Sequence, residues 1–343
     1  MKVSIIIPAY NEADCIESNL LELEEYLLGS FKDYRWETIL VNDGSSDDTA
    51  VILEQIQKSK TWLKVINLES HWGRGRALRA GFESASGEVI VTLDADFSYA
   101  PYHIERLIKK LLDENADIVV ASAYRKDGSV KNVPPKRLLL SKLGNKILSY
   151  MFGSNLTVLT CIVRAYKSNF IKSLDLHAAD KEIHLEILSK ARTLGAKIVE
   201  VPADLAWRSA KLLRKKCGLE TSRRSTLKIK KTSSSHLFFA LLSKPGIVFW
   251  IPGYVLICIS TFIFLLTLKN IGADLASGLS LYHAIRNSMM NASLSWLTMA
   301  FSFLLGIQFF TLGFLTNQSK TNQEETYRTL HSIYSELKKH KKD

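Results

Sequence analysis

Asp94-Ala95-Asp96 closes an apolar run, "VIVTLDADFSYAP" at 89–101, which then stops at a proline. In an extended chain, side chains i and i+2 point the same way, so the two carboxylates can address one point. Oxygen donors of this kind suit Mg²⁺ or Mn²⁺, which keep several waters and bind substrate phosphates. Alternatively, one carboxylate takes the metal and the other a sugar or ribose hydroxyl. A nucleotide diphosphate is the natural partner, because a divalent cation neutralises charge building on a departing diphosphate. An isolated pair would also suit a capped loop, so the surrounding elements decide.

Those elements alternate. "KVSIIIP" (2–8), "WETILVND" (36–43), "LKVINLE" (63–69), "GEVIVTLDAD" (87–96) and "DIVVASA" (117–123) read as strands. Helical stretches separate them, with Asn11 expected to cap the first and Pro101 to open the one after the fourth strand. This rhythm predicts an α/β domain with a mostly parallel, doubly wound sheet. Ligands of such sheets bind at the carboxyl ends of the strands. "PAYNE" (8–12), "NDGSSD" (42–47) and "DADFS" (94–98) all fall there. A rim so rich in carboxylates attracts a cation or a sugar's hydroxyls.

The chain has 343 residues, a net charge of +11 and four cysteines, at 15, 161, 217 and 258, without metal-ligand or CxxC spacing. They read as small buried hydrophobes in a reducing compartment. Gly246–Leu268 and Asn287–Ser319 contain no charged residue. Each can supply the roughly 20 apolar residues that cross a bilayer as a helix. Pro252 should kink the first, and Trp250, Tyr254 and Trp296 suit interfacial belts. Basic residues crowd 208–231 and the tail, while the connecting loop (269–290) carries only Lys269 and Arg286. Positive-inside reasoning places both termini and the soluble domain in the cytoplasm. The basic run then faces an anionic leaflet rather than nucleic acid.

Several ordered stretches resemble one family: "SIIIPAYNE", "VNDGSSDDT", "GRGRALRAGFESASGEVIVTLDADFSYAP", "TCIVRAYKS" and "IVEVPADLAWR". Over 1–211 the chain is similar to family 2 glycosyltransferases of the GT-A fold. Within them it resembles the polyprenyl-phosphate glycosyltransferases, the group that includes dolichol-phosphate mannose synthase. The resemblance implies inverting transfer of a sugar from a UDP- or GDP-sugar to dolichyl or undecaprenyl phosphate. It implies that Pro8, Ala9, Tyr10 and Glu12 line the nucleotide site and that Val41 and Asp43 contact base and ribose. Asp94, Ala95 and Asp96 would hold the diphosphate through Mg²⁺ or Mn²⁺, with Asp96 the direct ligand. Arg208 and Lys211, in "WRSAK", would reach the donor diphosphate. Arg137 and Ser141 would grip the lipid phosphate from the stretch 136–148. That stretch also reads as an interfacial helix in its own right, with Leu139, Leu143, Ile147 and Met151 at i+4 spacing among lysines. Glu186 matches an acidic position of the acceptor region. An acceptor phosphate is already ionised, so no general base is expected.

The chain departs from the pattern at Ala123, where the family has arginine, at Val158, where it has aspartate, and at Ser98, beside the metal position. The role of Arg125 stays open. The expected organisation is a GT-A domain (1–210), a basic juxtamembrane segment (211–245), two transmembrane helices (246–318) and a cytoplasmic tail (319–343) suited to an interfacial helix or a homo-oligomer contact. Rival readings are transfer to another lipid or a polysaccharide, and a non-catalytic membrane scaffold. A Rossmann oxidoreductase is disfavoured, because no GxGxxG follows the first strand.

Overall fold

The computed structural model describes residues 1–207 and 245–340. The strands are β1 (Lys2–Ala9), β2 (Arg35–Asn42), β3 (Leu63–Asn67), β4 (Val89–Thr92), β5 (Ile118–Ser122), β6 (Ser129–Lys131), β7 (Arg164–Lys167), β8 (Ile198–Pro202) and β9 (Asp204–Ala206). The helices are α1 (Ile16–Ser30), α2 (Thr49–Ser59), α3 (Arg74–Ser84), α4 (His103–Asp113), α5 (Pro135–Phe152), α6 (Ser168–Ile171), α7 (Ile183–Thr193), α8 (Pro245–Ala276), α9 (Leu281–Asn291) and α10 (Ser293–His340).

Seven strands form one sheet in the order β3-β2-β1-β4-β7-β5-β8. All neighbours are parallel except β7, which runs antiparallel between β4 and β5. The five expected strands are present, and the mostly parallel sheet stands. The antiparallel insertion was not legible, because β7 is only four residues long and follows the long excursion through α5. A second, two-stranded ladder pairs β6 with β9.

The central strands are apolar on both faces because helices cover both faces. Ile5, Ile6, Ile39, Leu40, Ile90, Val91, Val119 and Val120 have no exposed surface. Helix α4 buries Ile104, Leu107, Ile108 and Leu111, the i, i+3, i+4, i+7 stripe of a core-facing helix. Each such side chain contributes about 1.5–3 kcal/mol on burial. Asn11 does not cap α1, contrary to expectation. The helix starts later, at Ile16, while Asn11 takes φ 56° and its Oδ1 accepts the Ser46 N–H at 2.8 Å. It ties the loop after β1 to the loop after β2.

The chain divides into two compact units, Met1–Ala240 with His331–Asp343, and Leu241–Leu330. Helices α8 and α10 contain the two stretches long and apolar enough to cross a membrane, Val248–Ala276 and Ser293–Tyr334. Only 17% of each apolar window is buried, which separates both from the core helix of a soluble protein. The connection expected to be a loop contains α9, and the polar tail continues α10 without a break to His340. Pro252 lies inside α8. The basic run 208–231 lies outside the described residues.

Candidate functional site

The carboxyl ends of β1, β2 and β4 meet at a cavity of about 680 Å³. Pro8, Ala9, Tyr10, Glu12, Asp43, Asp94, Ala95 and Asp96 line it. Val41 does not; it is fully buried within β2. Arg208 and Lys211 lie outside the described residues. Arg137 and Ser141 sit on α5 rather than on this cavity. The Arg137 guanidinium lies 4.9 Å from the centre of the Trp207 ring, and Ser141 Oγ accepts the Tyr124 hydroxyl at 2.8 Å. Asn145 donates to the Ser141 carbonyl and accepts the Leu159 N–H, so α5 is pinned to the loop before β7.

Asp94 and Asp96 converge by a turn, not by the pleat of a strand. Strand β4 ends at Thr92, and the Phe97 N–H returns to the Asp94 carbonyl at 3.2 Å. Phe97 takes φ 46°, an uncommon conformation for a bulky side chain, and its burial holds it there. From α1, Asn19 Nδ2 donates to the Ala95 carbonyl at 2.7 Å. Asp96 Oδ1 accepts the Ser98 N–H at 2.9 Å. Burial pushes the Asp94 carboxyl up to about 6; nearby Arg74 opposes the rise and Asp96 adds to it. Arg74 Nη2 stands 3.2 Å from Asp94 Oδ1.

Sequence reasoning missed seven of the fifteen lining residues: His71, Trp72 and Gly73 before α3, Arg74 at its first position, and Asp180, Lys181 and Glu182 before α7. The first group lay in plain sight as "HWGRGR", where glycines between a strand and a helix mark a close approach. Gly44 has φ 61°, and a side chain there would strike the Ser70 and His71 backbone. A Cβ on Gly75 would meet the Ala178 carbonyl at 2.3 Å. These glycines let the 70–75 segment press against both the β2 end and the 176–180 loop. Asp43 fixes its course: Oδ1 accepts the Trp72 N–H at 3.0 Å and Oδ2 the Gly73 N–H at 2.9 Å. The second group carries no sequence signal beyond a charged run.

Glu186 is not a solvated helix-face residue. It is 7% exposed and accepts the backbone N–H groups of His177 and Ala178. Arg125 is not part of the cavity lining and donates to the Glu200 carbonyl at 2.9 Å. Glu200 in turn accepts the N–H groups of Thr157 and Val158, so the loop holding Val158 is fastened by its backbone.

No group of three His, Cys, Asp or Glu side chains able to hold a metal occurs among the described residues. Two carboxylates fit a hard cation that completes its shell with water and phosphate. They do not fit a closed structural metal site.

A parallel sheet with one antiparallel strand, carrying a carboxylate pair past β4, defines a GT-A domain. Residues 4–174 match the model of glycosyl transferase family 2, and this domain belongs to that family. A similar curated relative is the undecaprenyl-phosphate 4-deoxy-4-formamido-L-arabinose transferase of Klebsiella pneumoniae strain 342. It is 31% identical over 202 residues, covering 59% of this chain and 58% of the relative. The Enterobacter sp. strain 638 protein of the same name is 32% identical over 210 residues, 60% of each. The chain thus spans under two thirds of the length of these relatives. Among solved structures, glucosyl-3-phosphoglycerate synthase from Mycobacterium tuberculosis, in complex with Mn²⁺, UDP and phosphoglyceric acid, aligns with a TM-score of 0.47 and 20% identity, over 64% of this chain and 80% of that one.

Proposed function

We propose that this protein transfers a monosaccharide from a UDP- or GDP-sugar to a polyprenyl phosphate, with inversion, at the cytoplasmic membrane face. The observation that carries the reading is the Asp94–Asp96 pair in a cavity also lined by Arg74 and Lys181. Acids that hold a cation and bases that hold phosphate oxygens together suit a nucleoside diphosphate. The names of the curated relatives support an undecaprenyl-phosphate acceptor.

In the proposed reaction an oxygen of the lipid phosphate attacks the anomeric carbon from the face opposite the leaving group. The anomeric C–O bond breaks, and its electron pair leaves on the diphosphate. Asp96, with Asp94, would hold Mg²⁺ or Mn²⁺, which when bound neutralises charge on that diphosphate. Arg74 and Lys181 add fixed positive charge, and Arg208 and Lys211 are assigned the same role. The phosphate is ionised at neutral pH, so the protein's work is positioning and leaving-group stabilisation. Arg137 and Ser141 are assigned to the lipid phosphate. Leu139, Leu140, Leu143, Ile147 and Tyr150 are exposed on the same helix, a surface suited to the bilayer. Met151, expected on that stripe, is buried instead.

The test uses full-length protein in detergent with Mg²⁺ or Mn²⁺, a short polyprenyl phosphate and a panel of UDP- and GDP-sugars. Label should enter lipid with a particular donor and vanish with EDTA or in Asp96→Ala. Undiminished transfer by that variant would remove the site assignment. Donor binding without lipid labelling would move the acceptor to another class.

A further inference from the structure

His71 enters the cavity from the loop between β3 and α3, and two contacts fix its ring. It stacks on Tyr10 with centroids 3.8 Å apart and planes 20° from parallel. Its Nδ1 lies 2.8 Å from Asp43 Oδ2. A carboxylate only accepts, so the neutral ring carries its proton on Nδ1 and leaves a bare lone pair on Nε2. No described residue bonds Nε2, and the side chain is 49% exposed. Asp43 is in the opposite state. Its side chain is 4% exposed. It already receives Trp72 N–H, Gly73 N–H and His71 Nδ1, three of about four acceptor directions. The oriented, unused acceptor in this corner is therefore His71, not the aspartate.

We infer that His71 selects the nucleobase of the donor. The base meets the imidazole edge to edge, and its ring N–H donates to Nε2. Uracil and guanine carry such an imide N–H. Cytosine and adenine present a bare ring nitrogen at the corresponding place, lone pair against lone pair, and donate only through a displaced exocyclic amine. Tyr10 sets the plane of the imidazole and Asp43 sets its tautomer. The inference rests on the nucleotide-sugar reading and adds the residue that chooses the base.

The test measures calorimetric binding of UDP, GDP, CDP and ADP, with Mn²⁺, to full-length protein in detergent. Wild type should bind UDP or GDP at least about tenfold more tightly than CDP and ADP, the size of one well-placed hydrogen bond against an unmatched one. His71→Phe keeps a ring against Tyr10 but loses the acceptor, and should bring UDP to within about threefold of CDP, or GDP to within about threefold of ADP. His71→Gln can donate its amide to Asp43 and offer its carbonyl outward, and should keep the preference. Wild type that binds CDP or ADP as tightly as UDP and GDP overturns the inference, and so does a His71→Phe variant with undiminished preference. If His71→Phe fails to fold, His71→Leu, which also lacks the acceptor, takes its place and is judged by the same criterion. Wild type that binds none of the four overturns the nucleotide-sugar reading itself, a result distinct from binding without discrimination.

Discussion

Glu186 Oε2 accepts the backbone N–H of Ala178 at 2.8 Å. The same carboxylate takes the His177 N–H and pairs with Lys190 Nζ at 2.8 Å. Two residues beyond Ala178, Asp180, Lys181 and Glu182 form one wall of the cavity. Glu186 therefore shapes a wall of the cavity without lining it. Glu186→Ala strands two N–H groups and should cost about 1–3 kcal/mol of stability. Donor KM should rise several-fold, with Glu186→Gln between the two. Thermal melts and donor titrations check this; variants indistinguishable from wild type would mean that the Glu186 contacts do not shape the wall.

The sheet and three rim motifs were legible because period, strand-end acids and turn residues all agree in "SIIIPAYNE", "VNDGSSDD" and "VIVTLDAD". Three features were not. Strand β7 is too short for its period to register, and its direction depends on where α5 leaves the chain. The wall Asp180–Glu182 reaches the cavity only through the distant acceptor Glu186 and the small residues Gly73 and Gly75, and single-sequence patterning carries no pairwise information of that kind. The tie between Asp43 and the 71–73 backbone is likewise a contact between loops about thirty positions apart in sequence. Its ends could be named beforehand, but not joined.

Arg74 stands against Asp94 at 3.2 Å, with its side chain a third exposed. Such a pair adds little to stability. A charge-assisted contact to a substrate phosphate is worth about 1.5–3 kcal/mol. Arg74→Gln should therefore raise donor KM roughly ten- to a hundredfold while the melting temperature shifts little. Steady-state kinetics with donor varied separates the two effects. An unchanged KM with a large loss of stability would make Arg74 a structural residue.

Glu37 gives the fold an acid limit. Burial alone would raise its carboxyl, but hydrogen bonds from the Ser4 hydroxyl, from the Ser86 N–H and hydroxyl, and from Lys2 bring it down to about 2. The folded value lies below the unfolded one of about 4.3, so the contribution is present above that pH and fades as pH falls toward 2. With the side chain 21% exposed, about 1–2 kcal/mol is the reasonable size after solvent screening. Chemical denaturation of wild type and Glu37→Gln from pH 2 to 6 should give curves that converge at the acid end and part above pH ~4. Parallel curves would remove Glu37 from the acid response.

On α5, Leu139 is 68% exposed and Leu143 is 52% exposed, while Leu148 and Phe152 are buried. A helix with one face in the core and leucines on the other has a second apolar environment to meet. Leu139→Glu with Leu143→Glu should leave nucleotide affinity unchanged and cut transfer to vesicle-borne acceptor at least about tenfold, since each leucine offers about 1.5–3 kcal/mol on burial. Equal rates on vesicles would mean that this face does not meet lipid.

The helices α8 and α10 come close at glycines. A Cβ on Gly306 would lie 2.9 Å from Ile257 and 3.3 Å from the Gly253 carbonyl, and one on Gly253 would lie 3.3 Å from the Gly306 carbonyl. Nearby, Ser260 Oγ donates to the Met299 carbonyl at 2.9 Å, and Tyr254 meets Phe310 edge to face. Small residues that let two backbones close are the usual adhesive where lipid provides no hydrophobic drive. Gly306→Leu cannot fit without separating the helices and should cost about 1–3 kcal/mol. Gly306→Ala, whose methyl would press on Ile257 Cγ1 and Cδ1 at 2.9 Å and on the Gly253 carbonyl at 3.3 Å, should cost less than leucine but more than nothing. The readout is the melting temperature of full-length protein in detergent, together with the emission of Trp250, whose ring fills the space beside Gly313. A leucine variant with wild-type melting and emission would mean that the hairpin is held elsewhere along its length.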